Sequence, residues 1–191
     1  MATPRTRNRG GQAVKVVVTG PFAAGKTTLI RTISEITVLS TERGVTDSTR
    51  KRKAETTVAM DFGRITIDRD LVLYLFGTPG QDRFDFMWEI LGEGMIGYLL
   101  LIDADREDSV EQAVAIHEAF RKMARVPYVV ALNRASGDDH ALVDRVRTRL
   151  DIPGEIAILA CDATDKESVK NVLLALLYAV LDEVEAQSVR V

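Results

Sequence analysis

The amino-acid sequence predicts an α/β fold with a mostly parallel sheet, because short apolar runs alternate with longer segments of helical periodicity. Five of these runs lack the alternation of polar and apolar residues that a strand with one solvated face shows, so we expect them to be buried on both faces. The five predicted strands span residues 14–19, 71–76, 96–103, 127–133 and 155–161. Strands of this kind, joined by helices, indicate helices on both faces of one sheet.

A sixth predicted strand, at residues 57–67, has a different pattern. Its apolar residues Val58, Met60 and Phe62 fall on one face, which is typical of a half-buried strand. A tight turn at residues 68–70 then leads directly into the next strand. We therefore predict a hairpin, in which the sixth strand is the antiparallel edge of a six-stranded sheet.

Helices are predicted at residues 26–35, 84–92, 107–125, 139–150 and 166–186. The last of these has the clearest period, with apolar residues spaced as they are on one face of a helix. Its apolar stripe consists of Val169, Val172, Leu173, Leu176, Leu177, Val180, Leu181 and Val184. We interpret this stripe as a core contact with the sheet and not as an interface.

Length and composition predict one domain in a reducing compartment. A chain of 191 residues has the length of a single domain, and we expect residues 1–13 to be a disordered tail and residues 14–191 to form the domain. The net charge of -3 argues against a broad nucleic-acid-binding face. Cys161 is the one cysteine, which excludes an internal disulfide and favours the cytoplasm. Apolar runs are too short to span a bilayer, so direct membrane insertion is not expected.

The most specific motif is Gly-Pro-Phe-Ala-Ala-Gly-Lys-Thr at residues 20–27, which matches G-x-x-x-x-G-K-[ST] between a predicted strand and a predicted helix. Glycines allow the backbone N–H groups to surround phosphates, and the helix N-terminus adds a positive potential. We expect Lys26 to contact the β- and γ-phosphates, Thr27 to ligate Mg²⁺ and Thr28 to contact the α-phosphate. The predicted nucleotide contacts are Gly20, Ala23, Ala24, Gly25, Lys26, Thr27 and Thr28.

With this motif, the chain from residue 14 to about residue 185 resembles the Ras-like small GTPase superfamily, and two segments carry the resemblance. Residues 57–63, Thr-Val-Ala-Met-Asp-Phe-Gly, resemble the effector region, which implies that Thr57 closes over Mg²⁺ and the γ-phosphate. A plain strand threonine is the alternative. Residues 76–84, Phe-Gly-Thr-Pro-Gly-Gln-Asp-Arg-Phe, resemble the D-T-A-G-Q segment, with Gly77 at the position of the metal-binding aspartate.

The same segment implies three catalytic roles. Gly80 would bind the γ-phosphate through its N–H, and Gln81 would orient the attacking water. Arg83 would act as an arginine finger in cis, with a surface arginine as the open alternative. Phe22 stands where the superfamily has a glycine beside the catalytic glutamine, so we expect hydrolysis to be slow and assisted by a partner.

Recognition of the base is implied by two further segments. Asn133-Arg134-Ala135-Ser136 resembles N-K-x-D, with Ser136 replacing the carboxylate that accepts from guanine. Asp138 and Asp139 lie nearby, and whether they reach the base or form a solvated turn is open. Cys161-Asp162-Ala163 resembles the S-A-K loop, whose backbone contacts the base oxygen, with an ordinary strand–helix loop as the alternative.

The combined motifs resemble most closely the conservon-type small GTPases of actinobacteria, which are similar to the bacterial polarity GTPases. This resemblance implies a roadblock-type regulator and a sensor-kinase-like protein as partners, and recruitment to the membrane by them. The prediction is a molecular switch that binds GTP or GDP with Mg²⁺ and hydrolyses GTP slowly. Two alternatives stay open: a pseudo-GTPase scaffold with little turnover, and an ATP-using P-loop protein.

Overall fold

The structure is a computed structural model that describes residues 12–40, 60–80, 86–135 and 139–189. Strands and helices alternate along most of these ranges, as the apolar runs predict, and the exception is the hairpin region at residues 61–77. The strands are β1 (Gln12–Thr19), β2 (Leu39–Ser40), β3 (Asp61–Asp68), β4 (Leu71–Gly77), β5 (Gly97–Asp103), β6 (Tyr128–Asn133) and β7 (Ile158–Cys161). The helices are α1 (Lys26–Ile33), α2 (Phe86–Gly92), α3 (Glu107–Met123), α4 (His140–Arg149) and α5 (Lys166–Val189).

One sheet contains all the described strands, in the order β2-β3-β4-β1-β5-β6-β7. The five strands from β4 to β7 in this order run parallel, and β3 runs antiparallel to β4. The central strand β1 is fully buried at Val16, Val17 and Val18, as its continuous apolar run predicts. The predicted α/β class, with its mostly parallel sheet and antiparallel pair, is confirmed.

Two details of the sheet differ from the sequence-based assignment. The two-residue strand β2 pairs with the first residues of β3, so β3 is not the edge strand within the described ranges. Gln12 and Ala13, which we assigned to the tail, extend β1 and pair with Leu71 and Val72. No apolar run indicated a strand at these two residues, but backbone pairing does not depend on one, and the Gln12 N–H donates to the Asp70 carbonyl at 2.6 Å.

Two apolar layers hold the helices against the sheet. On one face, Leu29 of α1 and Leu173 of α5 pack with β-strand residues. On the other face, Trp88 of α2, Phe120 of α3 and Val146 of α4 form the second layer. Because the parallel strands all end at one edge, the loops that follow them converge there, and the first residue of antiparallel β3 lies at the same edge.

The stripe on α5 is only partly a core contact, which corrects our interpretation. Val169, Val172 and Leu176 are buried, whereas Leu181 and Val184 are 54% and 57% exposed. The reason is length: a helix of 24 residues is about 36 Å long. A strand as short as β6, with six residues, spans only about 20 Å, so the helix extends past the sheet. None of the helices in the described ranges combines the length and apolar character needed to cross a bilayer.

His117 provides a prediction about pH and stability. Its side chain is buried on α3, Nδ1 lies 3.4 Å from the Tyr98 hydroxyl, and Nε2 has no hydrogen-bond partner among the described residues. Burial first, and the Arg121 charge second, lower the pKa of His117 from 6.5 to about 4. Between these two values the unfolded chain binds a proton that the folded chain does not, so stability falls as pH falls through this window.

We expect the free energy of unfolding to drop by about 3 kcal/mol between pH 7 and pH 4 through His117 alone. The measurement is urea unfolding at several pH values, compared with a His117→Phe variant that cannot be protonated. The variant should show a shallower pH dependence across the same window. Identical pH profiles for the two proteins would contradict the assignment of a neutral buried imidazole.

Candidate functional site

The loop between β1 and α1 contains positions at which only a small side chain fits. Gly20 and Gly25 have φ of 142° and 104°, and Ala23 has φ of 61°. A Cβ atom on Gly20 would lie 2.0 Å from the Leu101 carbonyl oxygen, and one on Gly25 would lie 2.4 Å from Asn133 Nδ2. Gly25 is also the N-cap of α1 and provides no side-chain hydrogen bond, which leaves the first N–H groups of the helix for an anion.

Lys26 lies inside this loop. Its Nζ donates to the carbonyls of Gly20 at 2.7 Å and Pro21 at 2.6 Å, and the side chain is buried. Gly80 is close to it, because a Cβ atom on Gly80 would lie 2.8 Å from Lys26 Nζ and 2.6 Å from Phe22 Cα. The structure therefore brings together two of the predicted phosphate contacts that lie far apart in the sequence.

A carboxylate that the sequence analysis did not single out lies beside the loop. The Thr27 hydroxyl donates to Asp61 Oδ2 at 2.5 Å, and Asp61 is 8% exposed. Asp61 is the first residue of β3 and lies opposite Gly77 of β4. A Cβ atom on Gly77 would lie 2.9 Å from Ile30 Cδ1 and 3.3 Å from Asp61 Oδ2, so the glycine leaves room for this carboxylate. Asp61 thus brings a carboxylate from the neighbouring strand to the side of Gly77.

A second carboxylate, Asp103, ends the apolar strand β5 but has other partners. It is fully buried and forms an ion pair with Arg134, and its Oδ1 accepts from the Asp105 N–H at 3.1 Å. Arg134, one of the predicted base contacts, adopts a φ of 65° at the end of β6. Of the two strand-end carboxylates, Asp61 is therefore the one that contacts the Thr27 hydroxyl.

Asn133 connects two of the loops at this edge. Its Nδ2 donates to the Ala24 carbonyl at 2.9 Å, and its Oδ1 accepts from the Ala163 N–H at 3.0 Å. The Ala163 carbonyl in turn accepts from the Thr32 hydroxyl at 2.7 Å. The buried Asn133 amide thus holds the glycine-rich loop against the loop after β7, which is a positioning role.

The loop after β7 is held by its own side chains. Asp162 Oδ1 accepts from the Thr164 N–H at 2.8 Å and from the Thr164 hydroxyl at 2.6 Å, and these bonds lower the pKa of Asp162. Burial raises the pKa of the Cys161 thiol to about 11. Asp139, which we left open as a base contact, is the N-cap of α4 and accepts from the Leu142 N–H at 2.9 Å.

A cleft of about 250 Å³ opens between the glycine-rich loop, the start of β3 and the loop after β4. Phe22, Ala23, Gly25, Lys26, Thr27, Thr28, Asp61, Thr78, Pro79, Gly80 and Arg134 line it. The predicted contacts Thr57, Gln81, Arg83 and Ser136, together with Asp138, lie outside the described residues. In the part of the chain that is described, no group of three or more His, Cys, Asp and Glu side chains is arranged to hold a metal ion.

A substitution at Gly20 tests how tightly this loop is built. We expect Gly20→Ala to lower the free energy of unfolding by roughly 2–3 kcal/mol, because the added methyl group meets the Leu101 backbone and the φ is unfavourable for alanine. The matched control is Gly154→Ala, where an added Cβ meets nothing within 4 Å. Thermal or urea unfolding gives both values. Equal stabilities of the two variants would contradict the described packing.

The comparisons with known proteins change the family assignment. Residues 38–183, more than half of the chain, match the family described as conserved hypothetical ATP binding protein. An uncharacterized protein of Methanocaldococcus jannaschii is 32% identical over 126 residues, which cover 66% of this chain and 73% of that protein. The assignment to conservon-type Ras-like GTPases is therefore wrong, and the family match does not support GTP or GDP as the ligand. The chain belongs to the family of conserved hypothetical ATP-binding proteins.

Proposed function

We propose that this protein binds ATP together with Mg²⁺ in the cleft between the glycine-rich loop and the start of β3. The observation that carries this proposal is the contact between the Thr27 hydroxyl and the Asp61 carboxylate, directly after the buried Lys26. The family match supports ATP as the nucleotide. It begins at residue 38, after the glycine-rich loop, so the role of that loop is argued from its geometry.

The donor set in the cleft suits Mg²⁺. This ion takes oxygen ligands, keeps several waters and is commonly held by one or two protein groups together with the phosphates of a nucleotide. Thr27 and Asp61 offer a hydroxyl and a carboxylate at one point of the cleft. Bound Mg²⁺ and ATP would supply a polarised γ-phosphoryl group. The protein groups that would hold them are Thr27 and Asp61 for the metal, and Lys26 with the N-terminus of α1 for the phosphates.

Lys26 has a specific role in this arrangement. Its ammonium is bonded to two carbonyls of its own loop, so it is kept inside the cleft and does not extend into solvent. Polyphosphate oxygens are stronger acceptors than neutral carbonyls, and a charge-assisted bond to them is favoured. Lys26 therefore neutralises phosphate charge without a large rearrangement of the loop, and Gly80 leaves the space beside its Nζ open.

The described carboxylates near the predicted base site each have a partner within the protein. A guanine-selective site needs a carboxylate that accepts from the base, and leaving such a group out lowers discrimination strongly. Among the described residues of this edge, Asp103 pairs with Arg134, Asp139 caps α4 and Asp162 closes its own turn. Asn133 is likewise bonded through both its amide atoms. The support for ATP over GTP is the family match.

We propose that turnover is slow. Within the described lining of the cleft, Asp61 is the one carboxylate, and the proposal assigns it to the metal, so this lining offers no second carboxylate to activate a water. Gln81 and Arg83 stay predictions for the catalytic roles, and Thr57 stays a prediction for the metal. The roadblock-type and sensor-kinase-like partners, and recruitment by them to a membrane, also stay predictions, and no contact among the described residues bears on them.

Calorimetric titration with ATP and with GTP, each with and without Mg²⁺, tests the proposed function. We expect ATP to bind at least about 10-fold more tightly than GTP, which corresponds to about 1.4 kcal/mol, and Mg²⁺ to strengthen ATP binding. Phosphate release on the same samples then measures turnover. Equal or tighter binding of GTP would overturn the nucleotide assignment, and the lack of any nucleotide binding would overturn the proposal as a whole.

A further inference from the structure

Arg106, the residue before α3, contacts the glycine-rich loop at the edge of the sheet. Its Nη1 donates to the Phe22 carbonyl at 2.7 Å, although the two residues are 84 positions apart in the chain. The other edge of the guanidinium pairs with Asp108, with Nε 3.2 Å from Oδ1 and Nη2 2.7 Å from Oδ2. Asp108 therefore fixes the plane of the guanidinium, and the planar fork directs Nη1 at the loop.

The backbone around Arg106 is fixed as well. Its N–H donates to the Asp103 carbonyl at 3.4 Å, and its carbonyl accepts from the Ser109 N–H at 3.1 Å. Arg106 is the N-cap of α3, a position that favours Ser, Thr, Asp or Asn, and its side chain makes no capping bond. The side chain bonds Asp108 and Phe22 instead, so this position contributes to the glycine-rich loop and not to the start of its own helix.

The contact with Phe22 determines the direction of the next N–H group. A trans peptide unit is planar, and its carbonyl and N–H point in opposite directions. Because Arg106 binds the Phe22 carbonyl, the Ala23 N–H of the same unit points away from Arg106. Ala23 lines the cleft together with Lys26 and Gly80. In the described part of the chain, no protein group accepts a hydrogen bond from this N–H.

Ala23 is held in a conformation that alanine rarely adopts. Its φ of 61° lies in the left-handed region, where the Cβ atom crowds the backbone. A residue stays in this region only when its surroundings restrain it. The bond from Arg106 to the Phe22 carbonyl is one restraint, and the bond from the Ala24 N–H to the Pro21 carbonyl at 3.3 Å is another. Without Arg106, the peptide unit before Ala23 can turn and relieve the strain.

The position of this peptide unit indicates which part of ATP it faces. A Cβ atom on Gly80 would lie 2.6 Å from Phe22 Cα and 2.8 Å from Lys26 Nζ, so Phe22 is at the Lys26 end of the cleft. Lys26 is the residue expected at the β- and γ-phosphates, whereas Thr28, expected at the α-phosphate, is further along α1. A donor at the Lys26 end therefore faces the terminal phosphates.

We propose that Arg106 is a positioning residue for ATP: it holds the Phe22 carbonyl outside the cleft, so that the Ala23 N–H donates to an oxygen at the γ-phosphate end. The role rests on the proposed ATP site, and it adds a preference for a triphosphate over a diphosphate. Arg106 itself does not touch the nucleotide. Its charge is paired with Asp108, so it acts through the direction of the peptide unit.

Calorimetric titration with ATP and with ADP, both with Mg²⁺, tests this role. We expect Arg106→Ala to weaken ATP binding at least about 10-fold and to leave ADP binding within about threefold of the wild type, because a charge-assisted bond at the γ-phosphate end is lost. The control is Arg149→Ala, which removes a guanidinium that pairs in the same way with Glu111 of α3. This control should bind both nucleotides as the wild type does, and unfolding curves check that each variant is folded.

An Asp108 variant separates positioning from charge. Asp108→Ala removes a negative charge near the cleft, so electrostatic attraction alone would strengthen ATP binding. Positioning predicts the opposite, at least about threefold weaker ATP binding with ADP binding little changed, because the guanidinium loses the partner that fixes its plane.

Three results would overturn the role of Arg106 and leave the proposed ATP site in place. They are unchanged ATP binding by Arg106→Ala, an equal loss of ATP and ADP affinity in that variant, and tighter ATP binding by Asp108→Ala. A wild-type chain that binds neither nucleotide would instead overturn the proposed function, and the role of Arg106 with it.

Discussion

Replacement of Lys26 with alanine is expected to weaken ATP binding by at least about 100-fold, or about 2.7 kcal/mol. The Lys26 ammonium is buried in the cleft next to Gly80, and it donates hydrogen bonds to the carbonyls of Gly20 and Pro21. Charge-assisted hydrogen bonds to phosphate contribute about 1.5–3 kcal/mol each, and alanine removes all of those made by the side chain. Calorimetric titration with ATP and Mg²⁺ measures the loss.

The matched control is Lys15→Ala. Lys15 lies on the same strand–helix unit, and its Nζ donates to the Glu93 carbonyl at 2.8 Å, away from the cleft. This variant loses a lysine and a side-chain hydrogen bond but no group of the proposed site, so its ATP affinity should equal that of the wild type. Unfolding curves for both variants check that each is folded. If the Lys26→Ala variant still binds ATP tightly, the glycine-rich loop is not part of the ATP-binding site.

The second large effect is expected at Asp61. Asp61→Asn should reduce the gain in ATP affinity that Mg²⁺ provides by at least about 10-fold, because a neutral amide replaces the charged oxygen ligand that this cation prefers. The Thr27 hydroxyl keeps an acceptor in the asparagine carbonyl, so the local fold should persist. ATP affinity measured without Mg²⁺ should change little. Titrations with and without the metal, on the same preparation, separate the two quantities.

Asp103→Asn is the comparison that distinguishes the two strand-end carboxylates. Asp103 is fully buried, and its partner Arg134 is about half exposed. Loss of this pair should lower the free energy of unfolding by about 1–3 kcal/mol, with solvent screening of Arg134 limiting the cost. The Mg²⁺ dependence of ATP binding should stay as in the wild type. If Asp103→Asn removes that dependence and Asp61→Asn does not, Asp103 is the metal-side carboxylate.

The family assignment shows where short motifs mislead. The resemblance to Ras-like GTPases relied on short segments that contain Thr57, Gln81 and Asn133, and Thr57 and Gln81 lie outside the described residues. The match over residues 38–183 integrates a much longer stretch and indicates an ATP-binding family. A glycine-rich phosphate loop occurs in proteins that bind ATP and in proteins that bind GTP, because the loop contacts the phosphates and not the base.

The amino-acid sequence by itself determined those features that depend only on residues close together in the chain. Continuous apolar runs predicted the buried parallel strands, and the spacing of Gly20, Gly25 and Lys26 predicted the phosphate loop, because both features are local patterns. The three-residue and one-residue spacing on α5 predicted its helix for the same reason.

Only the tertiary structure decided which side chains meet across long stretches of chain. Thr27 and Asp61 are 34 residues apart, and only the pairing of β3 with β4 places this carboxylate beside Gly77. Asn133 contacts Ala24 from 109 residues away, a contact that positions the glycine-rich loop, and its role as a base contact stays a prediction. The size of the sheet decided that Leu181 is exposed although its helical spacing resembles that of the core. Periodicity specifies the face of a helix, but burial depends on what lies opposite that face.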